Sequence, residues 1–362
     1  MKNQLLSPLQ NPLQFFDGTP VQTPADFIRR RKEILDLITE MQFGGMPPKP
    51  AYLRLEDLYT PGYGRRNTYR IHITEKDRKF SFIFTVDLPK RQKGYEQERF
   101  LVLLTGDACF EGVGDRITEE TRNRRMLLVR FNRVELAPDT VHADKEAGIH
   151  FLYPNHGFSA ISAWAWGYSR VIDALFQLPF VDTTKIGITG HSRGGKTTLL
   201  AGAHDERISF VNANGSGTHG CGCWRYQQQE PDRKRAEEMA DLFRNFPHWM
   251  GEKLRPYIGK EETLPYDMHL LKACIAPRAF LDSNATGDIW ANPKGSYLTN
   301  RAALPAWEFF GCPEKLGTRF RAGEHFHTYE DICAFLDFMQ GKPICEIPDD
   351  YRKELDDIAL FE

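Results

Sequence analysis

Apolar and polar residues along this chain follow two periods in turn. Between Thr23 and Met41, Phe27, Ile34, Leu35, Leu37 and Ile38 recur at helical spacing, with Thr23 as N-cap and Pro24 at the first helical position. Two extended segments follow, NTYRIHIT at 67–74 and KFSFIFTVDLP at 79–89. Their alternation and their β-branched and aromatic content predict antiparallel strands. Beyond Glu98 the pattern changes. RFLVLLTG, RRMLLVRF, KIGITG, RAFLDS and TRFRAG are short apolar runs of the kind buried in a parallel sheet. Helical stretches separate them, around 160–175, 294–310 and 329–340. Strands alternating with helices predict an α/β fold, a mostly parallel central sheet flanked by helices in three layers. Residues 216–270 break the rhythm with a polar, Arg- and Gln-rich stretch containing FPHWM. This stretch is expected to be a lid or insertion near the active site, within a single domain over 1–362.

Composition narrows the field. In 362 residues, 41% hydrophobic content is enough for a large buried core. Lys and Arg number 47 against 49 acidic residues, so nothing draws the chain toward nucleic acid. No run of 18 apolar residues suggests a membrane-spanning helix. The first twenty residues lack the continuous apolar stretch of a signal peptide, so a cytoplasmic protein, or one whose leader has been removed, is expected. Seven cysteines are an odd number, and Cys221 and Cys223 stand too close for an easy bridge. They lack the spacing of a structural zinc site, and reduced thiols are expected.

The strongest local signal is KIGITGHSRGGK at 185–196, followed by TTLLAGAHDE. An apolar strand runs into Gly-x-Ser-x-Gly and then into a helix-forming run, the pattern of a nucleophile elbow centred on Ser192. There the serine occupies a tight strained turn. The backbone N–H of the next residue, Arg193, sits at a helix N-terminus, where it can stabilise an oxyanion. A serine nucleophile needs a histidine base and a carboxylate to fix its tautomer, in the chain order Ser, acid, His for this fold. Asp288 follows the apolar run AFLDS, and His325 and His327 follow TRFRAG. Spacing alone does not separate the two histidines. His191, beside the serine, is expected to point into the scaffold.

At these residues the chain resembles the glucuronoyl esterases, carbohydrate esterase family 15, especially their bacterial members. The blocks that carry the likeness are GHSRGGK at 190–196, SAWAWGYSRVIDAL at 162–175, NGSGTHGCGCWRY at 214–226 and LPYDMHLLKACIAPRAFL at 264–281, with DIWANPKGS at 288–296 and FRAGEHFHTYED at 320–331. FFDGTPV and RRKEI near the N-terminus also fit, so the resemblance covers nearly the whole chain. It implies an α/β-hydrolase fold and cleavage of the ester between 4-O-methyl-glucuronic acid on xylan and a lignin alcohol. By position, it implies Ser192 as nucleophile, Arg193 as an oxyanion donor through backbone and guanidinium, and Lys196 and Trp290 as sugar contacts. Glu238 lies near the position of another sugar contact. An arginine followed by Gly-x-His ahead of Asp331 implies His325 as the base.

One departure sharpens the picture. Fungal members carry their acid as a glutamate where this chain has Gly215. The acid must then be Asp288. The implied reaction proceeds through a glucuronoyl-enzyme, without metal or cofactor, on a glucuronoxylan-derived ester, in a protein expected to be a monomer. A rival with the same triad is an acetylxylan or other carbohydrate acetyl esterase, which has no use for Lys196, Arg193 and Trp290 together. A catalytically silent carbohydrate-binding relative is the other rival, and intact Ser192, Asp288 and His325 oppose it. Asp288→Asn is expected to lower kcat by orders of magnitude in steady-state ester hydrolysis, since no second carboxylate stands in.

Overall fold

The computed structural model describes residues 3–92, 97–109, 114–141, 146–232 and 234–361. Ten strands form one sheet: β1 Tyr52–Tyr59, β2 Arg66–Glu75, β3 Arg78–Asp87, β4 Phe100–Thr105, β5 Leu127–Phe131, β6 Val181–His191, β7 Phe210–Asn214, β8 Ala279–Ala285, β9 Leu316–Arg321 and β10 Cys345–Glu346. Their order is β1-β2-β3-β5-β4-β6-β7-β8-β9-β10. The first three pairings are antiparallel and all later ones parallel.

The helices are α1 Pro24–Phe43, α2 Asp115–Asn123, α3 Ala160–Leu175, α4 Arg193–His204, α5 Met239–Asn245, α6 Met268–Ala273, α7 Pro293–Phe309, α8 Tyr329–Met339 and α9 Asp349–Leu355. Thr23 caps α1 in a reciprocal capping box with Asp26, and Pro24 opens the helix, as its sequence predicts. Among the described residues, no helix is long and apolar enough to cross a membrane.

Adjacent residues of the central strands bury into opposite layers. Val102 and Leu104 join one core with Ile34, Trp164, Ile172 and Leu200, from α1, α3 and α4. Leu103, between them, joins the other with Ile117 of α2 and Phe335 and Leu336 of α8. Burial on both faces is why these strands read as unbroken apolar runs. Two strands escape that signature. β1 is a largely exposed edge. β7 carries buried asparagines: Asn212 accepts from the Thr189 hydroxyl at 2.8 Å and donates to Leu281 O at 3.0 Å, tying three parallel strands together.

Residues 216–226 are buried, and all seven cysteines are free thiols, Cys221 and Cys223 within that buried run. The later part of 216–270 carries α5 and short 3₁₀ turns, and reaches the site described below.

Under that site lies a fully buried ion pair. Lys272 Nζ on α6 meets Asp282 Oδ2 on β8 at 2.7 Å, and also donates to Thr299 Oγ1 and Asn300 Oδ1 on α7, each at 2.7 Å. Such a pair is costly to break because the surviving charge keeps its desolvation penalty. Lys272→Met is expected to lower stability by about 3–5 kcal/mol in denaturant unfolding. Adding Asp282→Asn should recover part of that loss.

Candidate active site

Strand β6 ends in a turn that only small neighbours permit. Ser192 sits at φ 56° and ψ −120°, a left-handed backbone rare for a side-chain-bearing residue. A Cβ on Gly190 would lie 2.4 Å from Gly194 O, and one on Gly194 would lie 2.4 Å from Asp107 Oδ1. Gly190 is therefore required by the crossing of strand and helix, and Gly194 by the Asp107 carboxylate packed against it. The Ser192 N–H donates to Asn214 O at 2.8 Å, and the His191 N–H donates to Asp107 Oδ2 at 2.8 Å. Arg193 then opens α4, its N–H at the helix N-terminus.

Acid and base reach this turn from the ends of β8 and β9. The strand pairing continues past the sheet, with Thr286 N–H to Arg321 O at 2.8 Å and Gly287 N–H to Gly323 O at 3.0 Å. This zipper sets Asp288 Oδ2 2.5 Å from His325 Nδ1. Asp288 is buried, whereas the His325 side chain is 43% exposed. The base loop is braced by Asp331, which caps α8 through Thr328 and accepts both carboxylate bonds from Arg321 Nε at 2.9 Å. Arg321 donates onward to Phe326 O at 2.7 Å.

The structure brings Asp288 to His325 and not to His327. His327 lies behind, its ring 5.8 Å from that of His191, which is itself 4.5 Å from the His325 ring. His191 therefore does not turn wholly into the scaffold as the sequence led us to expect. It backs the His325 imidazole while its Nδ1 is held by Asn214 Oδ1 at 2.7 Å. The departure at Gly215 has a spatial counterpart, since a Cβ there would lie 3.2 Å from His191 and 3.6 Å from His325.

Ser192, Arg193, Lys196, Glu237, Trp290 and His325 line one cavity of about 220 Å³, with Phe246 and Trp249. Lys196 is buried on α4. It donates to Ser216 O at 2.6 Å and to Thr218 O, and stands 3.9 Å from Glu237 Oε2. Burial pulls the lysine down to about 8, against the opposing pull of Glu237. Burial raises Glu237, and Lys196 partly offsets it. Glu238, expected as a sugar contact, does not line this cavity. It caps α5 and faces Arg235 at 3.6 Å, while the Glu237 N–H donates to Trp290 O at 2.9 Å. Trp290 is 43% exposed, and a second cleft of about 370 Å³, reaching Arg235 and Glu324, opens on it as well. Sequence reasoning missed Glu237, Phe246 and Trp249. FPHWM stood out as a local oddity, but nothing in it told which ring would face the serine.

A serine on such an elbow, at the end of a parallel strand, with a carboxylate from two strands away bound to a histidine from three strands away, places the molecule among the α/β-hydrolase-fold carboxylic ester hydrolases. The chain matches the family described as "Glucuronyl esterase, fungi" over residues 71–311, and it belongs to that family. It is 29% identical to 4-O-methyl-glucuronoyl methylesterase 1 of Phanerochaete chrysosporium, over 91% of this chain and 67% of that one. To the 4-O-methyl-glucuronoyl methylesterase of Cerrena unicolor it is 30% identical, over 88% of this chain and 65% of the relative. The chain thus spans about two thirds of the length of these curated relatives. A carbohydrate esterase family 15 glucuronoyl esterase from Caldicellulosiruptor kristjansonii superposes with TM-score 0.84 at 28% identity, covering 99% of this chain and 98% of that one.

Two histidines of this cluster are held neutral by burial, which brings His191 down to about 4 and His327 down to about 3. Below pH 6.5 the unfolded chain takes up protons that the native chain refuses. Stability therefore falls as pH drops from 6.5 toward 4, by about 1.4 kcal/mol per pH unit for each such histidine. Denaturant melts of His327→Gln across this window are expected to show a shallower slope than wild type, by about one proton.

Proposed function

We propose that this protein is a serine esterase that hydrolyses esters of (4-O-methyl-)glucuronic acid borne on xylan, with lignin-type alcohols as leaving groups. The observation that carries the reading is the shared cavity. Ser192 and the Asp288-bound His325 open into a space walled by Arg193, the Lys196–Glu237 pair and the Trp290 ring. An acetyl group offers a buried lysine–glutamate pair nothing to contact. A uronoyl ring brings hydroxyls for both and a face for the tryptophan. The names of the relatives, glucuronoyl esterases and 4-O-methyl-glucuronoyl methylesterases, support the same acyl group.

In this mechanism Asp288 accepts the Nδ1–H of His325, so Nε2 is left as the base. Nε2 takes the Ser192 proton as Oγ attacks the uronoyl carbonyl. The oxygen that becomes negative is met by the Arg193 N–H at the start of α4 and by the Arg193 guanidinium. Collapse expels the alcohol, which receives the proton from His325, and leaves the glucuronoyl ester of Ser192. Water, deprotonated by His325, then attacks that ester and releases glucuronate and free Ser192. The second cleft beyond Trp290 gives groups attached to the uronoyl unit a place outside the inner cavity.

The test compares benzyl glucuronate with para-nitrophenyl acetate, for wild type and Ser192→Ala. Strong turnover of the glucuronate ester that vanishes in the variant, with weak acetate activity, is expected. A preference for acetate would overturn the assignment of the acyl group and leave an acetyl esterase. A silent binding protein would turn over neither and would not react with a fluorophosphonate.

A further inference from the structure

The Arg193 guanidinium is held from two sides by parts of the chain distant in sequence. Its Nη1 donates to Asp139 Oδ2 at 2.8 Å. Its Cζ lies 4.7 Å from the centroid of the Trp249 ring and 5.4 Å from that of the Phe246 ring, beside the stack those two rings form at 3.9 Å and 3°. Asp139 is fixed in turn. Its Oδ1 accepts from Trp249 Nε1 at 2.9 Å and pairs with His248 Nε2 at 3.0 Å. Arg193, Phe246 and Trp249 line the cavity with Ser192, whereas Asp139 does not and stands behind the guanidinium.

We propose that Asp139 is a positioning residue, which orients the Arg193 guanidinium so that its remaining N–H groups face the oxygen made negative by Ser192 attack. The inference rests on the Ser192 ester-hydrolysis reading above. An arginine side chain surrenders much rotamer entropy when it is fixed, and a donor that must be ordered during the reaction stabilises the oxyanion less than one already in place. Asp139 and the stacked rings supply that order beforehand. Among the described residues Asp139 accepts from one of the five guanidinium N–H groups, and Arg193 lines the cavity beside Ser192. The clamp is also stable to acid. Burial works against the Asp139 charge, but the bonds from His248 and Arg193 outweigh it and hold the carboxyl down at about 2.

An opposing effect has the same origin. A carboxylate 2.8 Å from Arg193 also weakens the positive field at the oxyanion. Orientation and neutralisation predict opposite outcomes for the near-isosteric Asp139→Asn, which keeps the shape and removes the charge. Under positioning, kcat falls about 10–100-fold with KM changed less than threefold, since the lost interaction is made in the transition state. Under neutralisation, kcat rises.

The deciding experiment is a double-mutant cycle with Arg193→Ala, on benzyl glucuronate and on para-nitrophenyl acetate. Asp139→Asn is expected to cost less than threefold once Arg193 is gone, and added guanidinium ion to restore Arg193→Ala only while Asp139 is intact. An unchanged or raised kcat in Asp139→Asn, or an equal loss with and without Arg193, would overturn the proposal. If Asp139→Asn does not fold by circular dichroism, Trp249→Phe removes one donor to Asp139 while keeping a ring. It should give a smaller kcat loss with the same dependence on Arg193, and an equal loss in both backgrounds again overturns the idea. Absence of glucuronate turnover would sink the substrate assignment alone, because the Asp139–Arg193 coupling is still read on the acetate ester.

Discussion

The site depends on one backbone conformation, the left-handed turn at Ser192. A non-glycine residue held at φ 56° carries strain of about 1–3 kcal/mol, which the surroundings must over-determine. They do so from three directions. Gly190 lets strand and helix cross at contact distance, and Gly194 makes room for the Asp107 carboxylate. The Ser192 N–H is fixed to the end of β7, and the His191 N–H to Asp107 at the end of β4. Asp107 is paired in turn with the fully buried Arg133. The turn puts Ser192 in the wall of the cavity and the Arg193 N–H at the head of α4.

Around that turn, the ends of β6, β7, β8 and β9 act as one platform. Ser192 N–H bonds to Asn214 O, Gly215 N–H to Ser283 O and Thr286 N–H to Arg321 O, so each loop is laced to the next by backbone bonds. Loops bound in this way hold side chains with the precision of the sheet, which is how Asp288 and His325 meet at 2.5 Å although 37 positions separate them. Charge is distributed in the same disciplined way. Lys272–Asp282 lies beneath the platform, Lys196–Glu237 in the cavity wall, and Arg193–Asp139 at its edge. Each buried cation has its carboxylate, as the cost of an unpaired interior charge demands.

Much of this was legible in the chain. The helix over 160–175, the antiparallel pair after residue 66 and the parallel apolar runs were visible because their burial is periodic and their side chains are apolar. β7 was not, because Asn212 and Asn214 spend polar side chains on bonds across the sheet and erase the apolar run. Within the site, the elbow was legible because the turn is local. The separation of Glu237 from Glu238 was not, since the cavity wall that Glu237 joins is completed by Trp290, from a loop more than fifty residues away.

The sequence by itself determined the class of fold, the elbow at Ser192 and the resemblance at Asp288 and His325, because each is written in neighbouring residues or in short periods. Only the tertiary structure decided that Asp288 and His325 meet at hydrogen-bond distance, that His191 backs the imidazole, and that Asp139 grips Arg193 beside Trp249. Those contacts join segments tens to more than a hundred positions apart. Their geometry follows from strand order and loop lacing, which no local pattern encodes.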